Sequence, residues 1–308
     1  MAGSGSKPIP RVQALGPVRA IGALVRTMRP RQWVKNVFVF APLVFDEKLL
    51  QPLPLARTIL GFLILCLLSG AVYVFNDLQD LEKDRQHPRK RRRPLPAGEL
   101  DPRVAWGAAF VLPAALAYPA FALDPFFALI AYVYWGLNLA YSLWLKHRVI
   151  LDVLTLASGY VLRVAAGVPL VRVERFSPWL YLCTLLLALF IGFAKRRQEI
   201  LLLGENARNH RAILEEYTVR FLDEMMGVVM AATIVAYSLY TFSAPNLPSN
   251  HAMMLTIPFV LYGVFRYLYL IHVRGETAPP DELVLRDRPL LLTVILWGMA
   301  AIAILYLF

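Results

Sequence analysis

Long apolar runs without a single charge recur from one end of the chain to the other. Residues 58–75, 104–123, 125–145, 176–194, 225–250 and 289–308 each hold 18 to 26 consecutive positions free of Lys, Arg, Asp and Glu. About 20 such residues cross a hydrocarbon core of about 30 Å as a helix, because lipid offers no water to satisfy unpaired backbone groups. These runs predict six membrane helices. Three further runs are interrupted. Residues 149–171 contain Asp152 and Arg163, residues 252–271 contain Arg266, and residues 36–54 are broken by Asp46, Glu47 and Lys48. Together the pattern predicts nine spans.

The basic residues test that count independently, since cytoplasmic loops carry the Lys/Arg excess. With the N-terminus inside and nine crossings, 26 of the 32 basic residues fall on the inner side. Only Lys48, Arg57, Arg172 and Arg175 fall outside, and Arg163 and Arg266 lie within spans. The expected fold is therefore an all-α integral membrane bundle of nine transmembrane helices in the cell (inner or plasma) membrane. Its N-terminus is cytoplasmic and its C-terminus outside. Residues 1–31 read as a lead followed by a basic amphipathic interfacial helix that begins near Val12, with Trp33 as an anchor. Residues 32–308 read as one membrane domain.

Composition agrees and removes alternatives. The 308 residues are 58% hydrophobic, with mean hydropathy +0.54 and 17% charged residues, against about 25% charged in soluble domains. That excludes two soluble domains and a disordered nucleic-acid-binding tail, so no nucleic-acid partner is expected. The net charge of +11 points to the membrane surface and to anionic ligands. No cleavable signal sequence is visible, and residues 1–6 read as a flexible lead. Cys66 and Cys183 fall inside apolar runs, as small hydrophobes rather than disulfide or metal-thiolate partners.

The polar chemistry gathers after the second span, in the run Asn76, Asp77, Leu78, Gln79, Asp80, Leu81, Glu82, Lys83, Asp84. At about 100° per residue, Asn76, Asp77, Asp80 and Asp84 share one arc of a helix. Oxygen ligands on one face, with no Cys or His, suit a hard cation such as Mg²⁺, which keeps waters and takes substrate phosphates. The plainer alternative is a solvated helix end, although a helix C-terminus favours cations over three carboxylates. A basic run follows, from Arg85 through Arg93 into Pro-Leu-Pro-Ala-Gly98. It serves either as a topogenic, lipid-touching loop or as a phosphate clamp beside the metal. Arg93, held between Pro and Gly, is the preferred ligand contact.

The run NDLQDLEKD followed by RPLPAG resembles the first aspartate-rich signature, NDxxDxxxD, of the UbiA superfamily of intramembrane prenyltransferases. Three segments resemble its decaprenyl-phosphate phosphoribosyltransferase branch: MRPRQWVKNVFVFAPL (28–43), YSLWLKHRVILDV (141–153) and FAKRRQE (193–199). The resemblance implies nine helices and a Mg²⁺-dependent transfer of 5-phosphoribosyl from phosphoribosyl pyrophosphate to a polyprenyl phosphate, with release of pyrophosphate. In that branch the product feeds cell-wall arabinan synthesis. It implies metal-binding and catalytic roles for Asp77, Asp80 and Asp84, supported by Asn76, and ligand binding by Lys35 and Asn36. Typical UbiA enzymes carry a second aspartate-rich motif in the loop after the sixth helix. Here that place reads Lys195, Arg196, Arg197, Gln198, Glu199. Three cations there cannot chelate a metal; they suit a phosphate monoester, or else anchor the loop inside.

Several residues keep more than one reading. Asp152, near the inner mouth of its span, suits a ribose hydroxyl or the orientation of Lys146. Lys146 and Tyr141 suit a phosphate, Tyr141 being equally at home in an interfacial belt. Arg163, about 16 Å further along its helix, either serves the site or snorkels to the far surface. Arg266 snorkels to the near one. His147, His210 and His272 have no second ligand nearby and no assigned role. Membrane lipid is an expected partner, and a homo-oligomer stays open. The competing functions are a UbiA enzyme moving a prenyl chain from prenyl diphosphate to an aromatic acceptor, and a non-catalytic transporter or lipid-binding protein. The acidic cluster lies at a helix end, which disfavours a transporter, whose sites lie near the midplane.

Overall fold

The computed structural model describes residues 17–86, 90–173, 178–203, 212–244 and 247–307. The N-terminal lead, Arg89, Arg175, Arg208, His210 and Arg211 lie outside these residues. Every regular element among the described residues is helical. The order is α1 (Pro17–Thr27), a 3-10 segment (Pro30–Phe40), α2 (Ala41–Phe45), α3 (Pro52–Gln79), α4 (Leu81–Gln86), α5 (Pro102–Leu123) and α6 (Pro125–Leu143). There follow α7 (Leu151–Val171), α8 (Pro178–Leu203), α9 (Val219–Ser243), α10 (Ile257–His272), α11 (Pro280–Arg286) and α12 (Arg288–Leu307).

Local sequence sets the boundaries. Helices α3, α5 and α6 each place Pro in the first turn, where its missing N–H costs nothing. Asp101 and Asp124 cap α5 and α6, and Asp124 accepts from the backbone N–H groups of Phe126 and Phe127 at 2.9 and 3.2 Å. Because Asp124 also ends α5, one residue turns the chain between two antiparallel helices. Thr218 caps α9 in the same way.

Eight helices among the described residues are long and apolar enough to cross a membrane. The expected ninth span is different: residues 36–54 do not form one apolar helix. The 3-10 segment and α2 occupy 30–45, and the charged Asp46–Lys48 turn separates them from α3. Pro30 and Pro42 punctuate this stretch. The tighter winding lengthens it, because 11 residues at about 2.0 Å and five at about 1.5 Å reach roughly 30 Å. It runs between α3 and α7 from Arg29, bonded to Asp77, to Phe45, packed edge-on against Tyr240. Gly167 makes this possible, since a Cβ there would lie 2.2 Å from the Val39 carbonyl oxygen.

Helix α7 joins two cores. Its Ala166 and Leu170 pack with Leu65, Leu68 and Phe127 in one, and its Val153 packs with Leu222, Met226 and Tyr267 in the other. Outside, α5 and α6 expose Val111, Tyr118, Phe121, Phe126 and Leu129. A soluble protein rarely shows such a continuous apolar face; lipid covers it. The charged side chains collect at the end of the bundle where α3 finishes and α7 begins, and this end holds the site.

Candidate active site at the charged end of the bundle

Helix α3 stops at Gln79 rather than continuing to Asp84, yet the helical hydrogen bonds run through the break. Asp80 N donates to Asn76 O at 3.0 Å and Asp84 N to Asp80 O at 2.8 Å. Asp77 and Asp84 therefore face one point, where both accept from Nη1 of Arg93, at 3.2 and 2.7 Å. Both carboxylates are buried. Asp77 also accepts from Arg29, and Lys90 lies 3.7 Å from Asp84. Asp80 turns aside to Lys146 at 3.5 Å, and Asn76 accepts from the Ser142 hydroxyl. Among the described residues no three acidic, imidazole or thiol groups converge on one centre.

Arg93 is placed by the turn that follows it. Ala97 N bonds Arg93 O at 2.9 Å, Gly98 N bonds Leu95 O at 3.1 Å, and Leu95 is buried as the anchor. Gly98 closes the turn at φ 78°, a conformation that costs glycine little.

The Asp77–Asp84 pair suits Mg²⁺. Its oxygens are hard donors aimed at a common point, already matched there by a cation, and Mg²⁺ asks for one or two carboxylates with water and phosphate completing the shell. Arg29, Lys90 and Arg93 ring this position with positive charge suited to a polyphosphate, and Lys146 adds a cation at neighbouring Asp80.

The second basic group is helical, not part of a loop. Helix α8 runs on to Leu203, so Lys195, Arg196, Arg197 and Glu199 occupy its last turns, where good helix formers and cations favour continuation. The neighbours of these residues differ. Arg197 pairs with Asp223 of α9 at 2.6 Å, while Arg196 is buried and donates through Nε to Asp152 at 2.7 Å. Its other nitrogens reach Glu199 at 3.0 Å and the Tyr141 hydroxyl at 3.4 Å. Lys195 is half-buried beside them.

Asp152 is fully buried, and its second oxygen accepts from the Tyr217 hydroxyl at 2.7 Å. Of its two expected roles, the orientation of a neighbour is the one seen, but the neighbour is Arg196 and not Lys146. The Tyr217 oxygen in turn accepts from the Ile150 N–H at 2.7 Å. Burial and then the adjacent carboxylate push the Tyr217 phenol up, so it stays a donor. Ile150 sits at φ 68°, an outlier for a β-branched residue, and the Tyr217 contact holds it at the entrance of α7.

Lys35 and Asn36 lie on the 3-10 segment. Asn36 is buried and bonds Cys66, Ser69 and Arg163. Arg163 does not snorkel outward; its guanidinium is buried with Asn36, Tyr134 and the Gly159 carbonyl. Arg266 pairs with Asp287 through two bonds of 2.8 and 3.2 Å, a partner its surroundings in sequence did not show. Arg29, Ser142 and Tyr217 also escaped the sequence reading. Arg29 opens the RPRQW run of the 28–43 segment and had a signal; Tyr217 and Ser142 had none.

Residues 38–285 match the model of the UbiA prenyltransferase family. The chain belongs to this family. It is 32% identical over 290 residues to the decaprenyl-phosphate phosphoribosyltransferase of Mycobacterium tuberculosis, covering 91% of this chain and 93% of that one. A Corynebacterium glutamicum protein of the same name is 30% identical over 301 residues, covering 94% and 89%. A UbiA homolog from Archaeoglobus fulgidus bound to DMAPP and Mg²⁺ has the same fold, with a TM-score of 0.69 at 19% identity over 93% of this chain and all of that one. This UbiA-family chain is thus a multi-pass membrane transferase.

Proposed function

We propose that this UbiA-family protein transfers 5-phosphoribosyl from phosphoribosyl pyrophosphate to a polyprenyl phosphate of decaprenyl type, at the cytoplasmic face of the cell membrane. The observation that carries this reading is the 32% identity across 91% of the chain to proteins of that named activity. The cationic Lys195, Arg196 and Arg197 at the end of α8 support it, since they suit a phosphate and not a second metal.

Asp77 and Asp84 would hold Mg²⁺, with Asp80 and Asn76 at the rim, and the donor's pyrophosphate binds beside them against Arg29 and Arg93. When bound, the metal neutralises charge on the departing pyrophosphate. Arg29, Arg93 and Lys146 lie around the same point and stabilise that charge with preorganised N–H groups. The C1–O bond to pyrophosphate breaks, its electron pair leaving with the pyrophosphate. A lipid phosphate oxygen forms the new bond at C1 from the opposite face. That oxygen is already anionic, so no general base is needed. Lys195 and Arg196 steer the second phosphate, and the isoprenoid tail lies in lipid between helices. The product is a lipid-linked pentose phosphate of the kind that feeds cell-wall arabinan.

The test is direct. Purified protein with Mg²⁺, labelled phosphoribosyl pyrophosphate and polyprenyl phosphate carries label into the organic phase. Label confined to water, with product formed instead from prenyl diphosphate and an aromatic acid, refutes the proposal.

A further inference from the structure

Deep in the bundle lies a cation with no acid beside it among the described residues. Arg163 is 7% exposed, and it stands eleven residues beyond Asp152 on α7, about 16 Å along the helix. Nε donates to Asn36 Oδ1 at 2.7 Å, Nη1 to the Gly159 carbonyl at 2.8 Å, and Nη2 to the Tyr134 hydroxyl at 2.7 Å. The rings of Tyr134 and Tyr160 lie 4.6 and 5.4 Å from its Cζ. Every one of these partners is neutral. Arginine cannot shed its proton, and buried charges are normally paired because desolvation is costly.

The seat is built for this side chain. Asn36 donates to Cys66 and Ser69 at 3.3 and 3.2 Å, which aims its oxygen at Arg163. Three of the five guanidinium N–H groups are engaged by these bonds, and two remain. The Tyr134 hydroxyl, having accepted from Nη2, keeps its own proton to donate.

The same seat communicates with the carboxylates. Tyr73 is one turn from Asp77 on α3, Arg29 stacks over its ring at 5.0 Å, and Tyr73 lies within electrostatic reach of Arg163. Tyr73 and Tyr160 are half-buried, and the Tyr160 ring also packs edge-on against Phe38 of the 3-10 segment. Tyr73 beneath Arg29, and Tyr134 and Tyr160 beneath Arg163, thus place phenol rings at both cations.

We propose that Arg163, held by Asn36 and assisted by Tyr134, binds a phosphate monoester of one of the two substrates. The ribose 5-phosphate of the donor and the head of the lipid acceptor share that chemistry. The inference rests on the phosphoribosyl-transfer reading only for the first of these sources.

Thermal-shift measurements on the full chain in detergent with Mg²⁺ test it, using inorganic pyrophosphate, ribose 5-phosphate and a short polyprenyl phosphate as probes. Wild type gains Tm with pyrophosphate and with at least one monoester, and the effective monoester identifies the source. Arg163→Gln weakens that monoester by about 10- to 100-fold in Kd, the loss of a charge-assisted bond, and keeps the pyrophosphate response. Arg163→Lys recovers part of it. Should Arg163→Gln not fold, Tyr134→Phe reports instead, with about a tenfold loss on the same probe. Monoester responses absent from wild type, or undiminished in these variants, overturn the proposal. A lower Tm with an intact monoester response makes Arg163 purely structural and overturns it as well. If label transfer fails while polyprenyl phosphate still protects through Arg163, the phosphoribosyl reading falls and this one stands.

Discussion

Asp152 offers the sharpest test of how the second basic group is held. Its side chain has no exposed surface, and its oxygens meet Arg196 Nε and the Tyr217 hydroxyl, each at 2.7 Å. Asn at this position keeps one acceptor and turns an N–H toward a donor. Removing one partner of a buried ion pair costs about 3–5 kcal/mol. Arg196 retains Glu199 at 3.0 Å, which puts the expected loss near the lower end, about 3 kcal/mol. At roughly 2–4 °C per kcal/mol for a chain of this size, Asp152→Asn lowers Tm by roughly 6–12 °C. Arg196→Gln does the same, because it strands the carboxylate. The double variant recovers part of the loss, giving a coupling of about 2 kcal/mol in the cycle. The assay pairs thermal shift in detergent with donor KM in the transfer reaction. Unchanged Tm with a raised donor KM would refute the reasoning, since that pattern belongs to a carboxylate touching ribose.

Asp80→Asn releases Lys146, paired with it at 3.5 Å, from its position toward the departing pyrophosphate and lowers turnover by about 10²–10³-fold; wild-type turnover removes Asp80 from the site. Gly167→Ala forces a Cβ to within 2.2 Å of the Val39 carbonyl and 3.0 Å of the Pro42 ring, costing about 1–3 kcal/mol by overpacking. Gly107→Ala meets nothing within 4 Å, so equal Tm values for these two variants contradict the packing described. The Asp287 carboxyl is held below its ordinary range, first by the Arg266 hydrogen bond. A depressed pKa contributes stability above the unfolded value near 4 and loses it as pH falls through the folded value. Wild type is therefore more stable than Asp287→Asn between pH 5 and 7, and the two Tm profiles merge at lower pH. A constant gap down to pH 2 denies this linkage.

Much was legible in the chain because lipid leaves few choices. Uncharged runs of about 20 residues have to become helices where no water can satisfy the backbone, and these runs correspond to all six uninterrupted expected spans. Two of the interrupted runs, holding Asp152 and Arg266, also became long helices. The third, from Asn36 onward, misled. Its apolar pattern carries no mark of 3-10 winding, which depends on Gly167 of a distant helix admitting the Val39 carbonyl. The acidic run was likewise readable, since Asp77 and Asp84 sit at helical spacing and stay on one side even across the break at Asp80.

Sequence alone thus determined a basic, multi-span α-helical chain with a carboxylate cluster at one helix end, because hydropathy and helical periodicity are local. Only the tertiary structure decided which charges are spent on one another. Arg196 found Asp152 across 44 positions and Arg29 found Asp77 across 48, while Arg163 found no acid but the neutral Asn36 amide across 127. Such contacts act through space over a few ångströms, and the packing of the 3-10 segment against α3 and α7, and of α7 against α8, brings those partners within that range.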